Sequence, residues 1–133
     1  MTSTKPPSKF CTAVTCIDGR IQESVASFLR DYYNAQWVDT VTEAGPVGLL
    51  SEGNPQTMRA VCRDVSISID AHASAGIGVV AHEGCAAVPL PREEQVPMAL
   101  NTAERMRKSF PGMEVIALWA KLNGEIEVLQ QDS

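Results

Sequence analysis

Four short apolar runs, rich in β-branched residues and each closed by a turn signal, alternate along the chain with three amphipathic stretches. The runs cover 10–16, 37–42, 76–81 and 115–120. Apolar stretches of this length bounded by Gly, Pro or Asp read as buried strands. Between the first two, Ile21, Val25, Phe28, Leu29 and Tyr32 fall on one face of a helix that closes by Gln36. After the second, Asn54 and Pro55 make a helix start, an N-cap followed by proline at the first helical position. Met58, Cys62, Val65, Ile69 and His72 then mark its expected buried face. A third helix is expected over 92–110, with Pro97 giving it a late start or a kink. Asn123-Gly124, a favoured two-residue hairpin turn, leads into a last strand over 126–129.

Parallel strands need crossover connections, and helices supply them here. The order β-α-β-α-β-α-β-β therefore predicts a single α/β domain of three layers. Its sheet is expected to be mostly parallel, in the order 2-1-3-4-5, with the last strand antiparallel. At 133 residues such a domain buries most of its apolar surface without disulfides. Residues 1–8, with Lys5-Pro6-Pro7-Ser8, read as a flexible leader, and 9–133 as the domain.

The net charge of −5, with no Lys/Arg cluster, argues against a nucleic-acid partner. No apolar run approaches the ~20 residues that span a bilayer, and no apolar segment follows the leader as a secretion signal would require. The expected location is the cytoplasm, where four cysteines are expected to stay reduced. Cys11, in an apolar run, and Cys62, on a helical face, read as small core hydrophobes. Cys16 and Cys85 fall where strands end.

In open α/β sheets, ligands bind beyond the carboxyl ends of the strands, where the strand order reverses. Strands one and three flank that point in the order 2-1-3-4. Cys16-Ile17-Asp18-Gly19-Arg20 leaves the first, and His82-Glu83-Gly84-Cys85 leaves the third. Two thiols and an imidazole form a zinc ligand set, and a site with three protein ligands keeps a fourth position for water or substrate. Asp18 is either the fourth ligand, which closes the site, or an acceptor outside it. Arg20 decides for the second if it pairs with the carboxylate in a bidentate fork. A zinc-bound water of pKa near ~7 would then serve as a hydroxide nucleophile toward a small electrophile.

Cys-x-Asp-x-Arg followed by His-x-x-Cys resembles the signature of the β-class carbonic anhydrases, with Cys16, Asp18, Arg20, His82 and Cys85 matching it position for position. The resemblance covers roughly 9–130. It implies a Zn2+ lyase that hydrates CO2 to bicarbonate and assembles as a homodimer or higher homo-oligomer. It also implies that Cys16, His82 and Cys85 hold the metal, with Asp18 and Arg20 as a gating dyad. Relatives on this scaffold hydrolyse CS2 or COS, so a hydrolase of another small heterocumulene is a second expectation, and a non-catalytic zinc protein a third. The chain departs from the family at Thr42-Glu43-Ala44-Gly45-Pro46, where Arg-Asn-Ala-Gly is usual, and at Ala81 and Ala86, where glycine is usual.

Other residues carry plainer expectations. Glu83 reads as an exposed turn residue, with a second carboxylate near the metal as its alternative. Glu43 is a candidate to line the pocket from the end of strand two. His72 reads as a satisfied core or boundary histidine, and Trp37 and Trp119 as sheet packing.

Overall fold

The computed structural model describes residues 8–129. All but the last residue of the expected leader lies outside them. Five strands form one sheet in the order β2-β1-β3-β4-β5. They are β1 Phe10–Cys16, β2 Trp37–Glu43, β3 Ile77–His82, β4 Val115–Ala120 and β5 Ile126–Leu129. The first four pair in parallel, and β5 pairs antiparallel with β4. The expected α/β architecture and strand order are therefore those of the molecule.

Helices cover the two faces unequally. Helix α1, Gln22–Tyr33, packs alone on one face through Val25 and Leu29, joined by Cys85 and Val88 from the loop after β3. Helices α2 (Pro46–Ser51), α3 (Pro55–His72) and α4 (Arg92–Ser109) cover the other, around Val14, Val41, Val79 and Ala117. Such burial is the main force holding the layers together, about 25 cal/mol per Å2 of apolar surface removed from water. Among the described residues no helix is long and apolar enough to cross a membrane.

Helix α2 has no counterpart in the sequence expectation. Six residues are too few for an apolar periodicity to show, yet Val47 and Leu50 are fully buried. Gly45, at φ +58°, enters it in the left-handed region, and Pro46 opens it. Helix α3 begins at Asn54, whose side chain accepts from the Thr57 N–H at 3.0 Å. Its buried stripe is Val61, Val65 and Ser68; of the expected line Val65 is buried, but Met58, Cys62, Ile69 and His72 are not. Three of those are half-buried and His72 is exposed, because Ser68 turns inward to bond with Thr12. Helix α4 starts at Arg92 and passes through an exposed Pro97 without the expected late start. Trp119 packs in the sheet as expected, but Trp37, on the edge strand β2, is 54% exposed.

The strands part where the chemistry lies. β1 pairs with β3 only from Thr12↔Ile77 to Val14↔Val79, whereas β3 stays with β4 up to His82↔Ala120. Beyond Val14 the first and third strands separate, and a crevice opens between Cys16 and His82.

Candidate metal centre

Cys16 is the last residue of β1, His82 the last of β3, and Cys85 follows a tight turn through Gly84, which adopts φ +68°. The strand ends and this turn bring three potential ligand atoms within 4.8 Å of one another. All three residues are buried, at 4%, 1% and 4% exposure. The two sulfurs stand 4.0 Å apart. A tetrahedral ion about 2.3 Å from each of two thiolates holds them ~3.8 Å apart, so the spacing fits zinc with little movement.

The imidazole is preset. His82 Nδ1 lies 2.8 Å from the Glu83 carbonyl oxygen, to which it must donate, so Nε2 carries the free lone pair. Nε2 is buried with no hydrogen-bond partner among the described residues. An orphaned acceptor beside two thiols suits a metal ion, since burying it unmatched costs about 1–3 kcal/mol. Burial pushes the Cys85 thiol up, while the main-chain N–H groups of Val88 and Ala87 draw it back down. Gly45 donates its N–H to Cys16 Sγ at 3.4 Å. Peptide dipoles thus face both sulfurs, as anionic sulfur requires.

Asp18 stands apart from this cluster. Arg20 donates Nε to Oδ1 at 3.0 Å and Nη2 to Oδ2 at 2.7 Å, and its main-chain N–H reaches Oδ1 at 2.9 Å. The fork engages both carboxylate oxygens, and the Arg20 side chain holds Asp18 well below the usual carboxylate range. Arg20 Nη2 also donates to the Gly84 carbonyl at 3.1 Å, tying the first segment to the turn between His82 and Cys85. Beside the sulfurs lies a cavity of about 200 Å3, lined by Cys16, Ile17, Asp18, Ala44, Ala86 and Ala87. Its walls are mostly methyl groups, with the Asp18 carboxylate as the ionised group.

A family model described as "Putative carbonic anhydrase" matches residues 6–130. The chain belongs to this carbonic anhydrase family. No curated protein matches it by sequence. Among solved structures, β-carbonic anhydrase isoform I of Trichomonas vaginalis superposes with a TM-score of 0.63 at 12% identity, over 100% of this chain and 88% of that one. One of two tetrameric β-carbonic anhydrases from Sordaria macrospora gives a TM-score of 0.54 at 13% identity, over 97% and 84%. The β-carbonic anhydrase CafA of Aspergillus fumigatus gives 0.55 at 13%, over 96% and 77%. At such identities the likeness is one of fold.

In this carbonic anhydrase family member the site rests on residues that sequence reasoning missed. Gln95 is 1% exposed, and its amide nitrogen donates to the carbonyls of His82 at 3.0 Å and Leu90 at 2.9 Å. It pins both ends of the loop that carries Cys85. The available signal was its position, a polar residue on the buried stripe it shares with Ala99, Ala103 and Met106. Gln22 likewise donates to the carbonyls of Cys16, at 2.8 Å, and Asp18, at 2.6 Å. Gly45 had no signal beyond its turn, because its role depends on a helix too short to anticipate.

The remaining candidates divide. Glu43 is not among the cavity-lining residues; its carbonyl instead accepts from Ile17 N–H at 3.1 Å. Glu83 is exposed as expected, but its carboxylate has a partner, accepting from the Leu122 N–H at 2.9 Å. His72 is exposed rather than at a core boundary, yet it is satisfied, with Nδ1 2.6 Å from Asp39 Oδ2 and its ring stacked on Phe10. Cys11 is fully buried, whereas Cys62 is only half so.

Proposed function

We propose that this chain is a zinc-dependent carbonic anhydrase that hydrates CO2 to bicarbonate in the cytoplasm, as a homodimer or higher homo-oligomer. The observation that carries this reading is the pairing of a buried Cys2His cluster with an Asp18 carboxylate that Arg20 engages at both oxygens. Cys16, His82 and Cys85 would hold the metal, leaving a fourth position toward the cavity. Zinc, when bound, supplies the Lewis acidity that makes water nucleophilic at neutral pH.

The chain's own residues do the rest. An ionised Asp18 accepts hydrogen bonds and cannot donate them, so it favours a proton-bearing oxygen at the cavity and repels an anion lacking one. Arg20 engages both oxygens of that carboxylate and keeps it ionised, which speaks for an open site over a closed, structural one. Ile17, Ala44, Ala86 and Ala87 offer a small neutral molecule an apolar seat and hold off bulk water. The tetrameric assembly named for the Sordaria proteins supports a homo-oligomer here.

Stopped-flow CO2 hydration by the zinc-loaded protein tests the reading. Turnover well above buffer, lost in Asp18→Ala with zinc content unchanged, is the expected result. A wild-type chain that binds one zinc and does not accelerate hydration overturns it. Turnover of COS or CS2 by the same sample would then assign the second heterocumulene activity.

A further inference from the structure

The amide donors that face the two sulfurs come from different loops. The Gly45 N–H, where β2 turns into α2, reaches Cys16 Sγ at 3.4 Å. The N–H groups of Ala87 and Val88, in the loop after β3, serve Cys85 Sγ. Such bonds orient a ligand atom and set how strongly it gives charge to an ion. No main-chain hydrogen bond joins the two loops to each other among the described residues.

Side-chain packing joins them instead, through Val88. This residue is 6% exposed, and its Cγ2 methyl lies over the first turn of α2. A Cβ on Gly45 would stand 2.7 Å from that methyl, and a Cβ on Gly48 2.9 Å from the same atom. Both distances are well inside the ~3.5–4.0 Å of a carbon–carbon contact. Positions three apart are neighbours on a helix, so the two missing Cβ atoms leave a notch that one methyl fills. Gly45 has a further reason to be glycine, its left-handed φ of +58°. Gly48 has none, because it lies within α2 at a negative φ, where alanine is the better helix former. Outside its own helix, Val88 Cγ2 is all that a Cβ at Gly48 would meet within 4 Å. The notch is a fixed surface, since Val47 and Leu50 anchor α2 in the core. Val88 is held on its other side too, its carbonyl accepting from the Leu90 N–H at 2.8 Å and from Gln95 Nε2 at 3.4 Å.

We infer that Val88 is a positioning residue of the metal centre: its methyl, seated between Gly45 and Gly48, clasps the loop that carries Cys85 to the loop whose amide serves Cys16. One side chain thereby keeps the donors of both sulfurs in place and the sulfurs at their 4.0 Å separation. This role rests on the metal centre of the proposed function and adds to it a residue that touches neither metal nor substrate.

The test uses the full, zinc-loaded chain. Val88→Ala empties the notch, and Gly48→Ala crowds it from the other side. Each should release zinc to a chelator ~10-fold faster than the wild type. Together they put a methyl from residue 48 where Cγ2 stood, and release should return to within ~3-fold of the wild type. Two unrelated packing defects would add instead, making the double variant the fastest of the three. Amide exchange followed by NMR gives a second readout. In Val88→Ala the Gly45 N–H should exchange ~10-fold faster while the amides of β1 do not change. If Gly48→Ala does not fold, the comparison of Val88→Ala with the double variant still decides. A double variant no better than Val88→Ala, or a Gly45 amide indifferent to Val88→Ala, overturns the clasp. A chain that hydrates CO2 but releases zinc at the wild-type rate in Val88→Ala keeps the proposed reaction and loses the clasp. A wild type that holds no zinc loses the proposed reaction, and Gly45 exchange in the zinc-free chain then decides the clasp alone.

Discussion

Asp18 and Arg20 are two residues apart, and the fork between them separates an open metal site from a closed one. In Arg20→Ala the carboxylate loses the fork that engages both of its oxygens. With cobalt in place of zinc, this variant should show an altered visible spectrum as Asp18 becomes a fourth ligand, and hydration should fall ~100-fold. An unchanged spectrum would mean that Arg20 does not decide where the carboxylate points. The cysteines differ in an equally testable way. Burial pushes Cys11 up to about 11, and the side chain is fully enclosed. Because the thiolate is the reactive form, Cys11 in the folded chain should alkylate at least ~100-fold more slowly at pH 8 than a free cysteine. In the zinc-loaded protein, Cys62 should be the first thiol modified, as peptide mapping would show.

Elements matter here mainly through their ends. Strands β1 and β3 are ordinary buried strands until they diverge past Val14, and the loop that β3 delivers is held by side chains from other elements. Gln95, near the start of α4, is the chief of these. Gln95→Leu should keep the volume of the core but leave two buried carbonyls unmet, costing about 2–3 kcal/mol in denaturant unfolding. The same change should speed zinc loss to a chelator, which a remote core defect would not do. Glu83 does a related task at the surface, joining the loop after β3 to the β4–β5 turn by accepting from the Leu122 N–H. Glu83→Ala should leave global stability within ~1 kcal/mol and raise protease sensitivity around Leu122. If Gln95→Leu and Glu83→Ala release zinc at the wild-type rate, the loop is held by the metal alone.

At the scale of the whole molecule, three buried potential ligands from two distant segments would make metal binding part of folding. Stripping the metal should lower stability by about 3 kcal/mol at a hundredfold excess over Kd, or roughly 10 °C in Tm. Thermal scans with and without a chelator would show this, and identical curves would remove zinc from the fold's support. What the sequence by itself determined is the alternation of strands and helices, the strand order, and the delivery of Cys16, His82 and Cys85 to one crevice. Those follow from apolar periodicity, turn chemistry and the alternation of strands with helices, most of which act over a few residues at a time. Only the tertiary structure decided that Arg20 engages both oxygens of Asp18, that Gln95 and Gly45 serve the site, and that α3 buries Ser68 in place of Ile69. It also decided that Trp37 stands in solvent. Each of these depends on which groups meet across the sheet, and such meetings link residues far apart in the chain. The signature of two cysteines and a histidine was therefore legible from its spacing. The hydrogen bonding and burial of the site came from geometry.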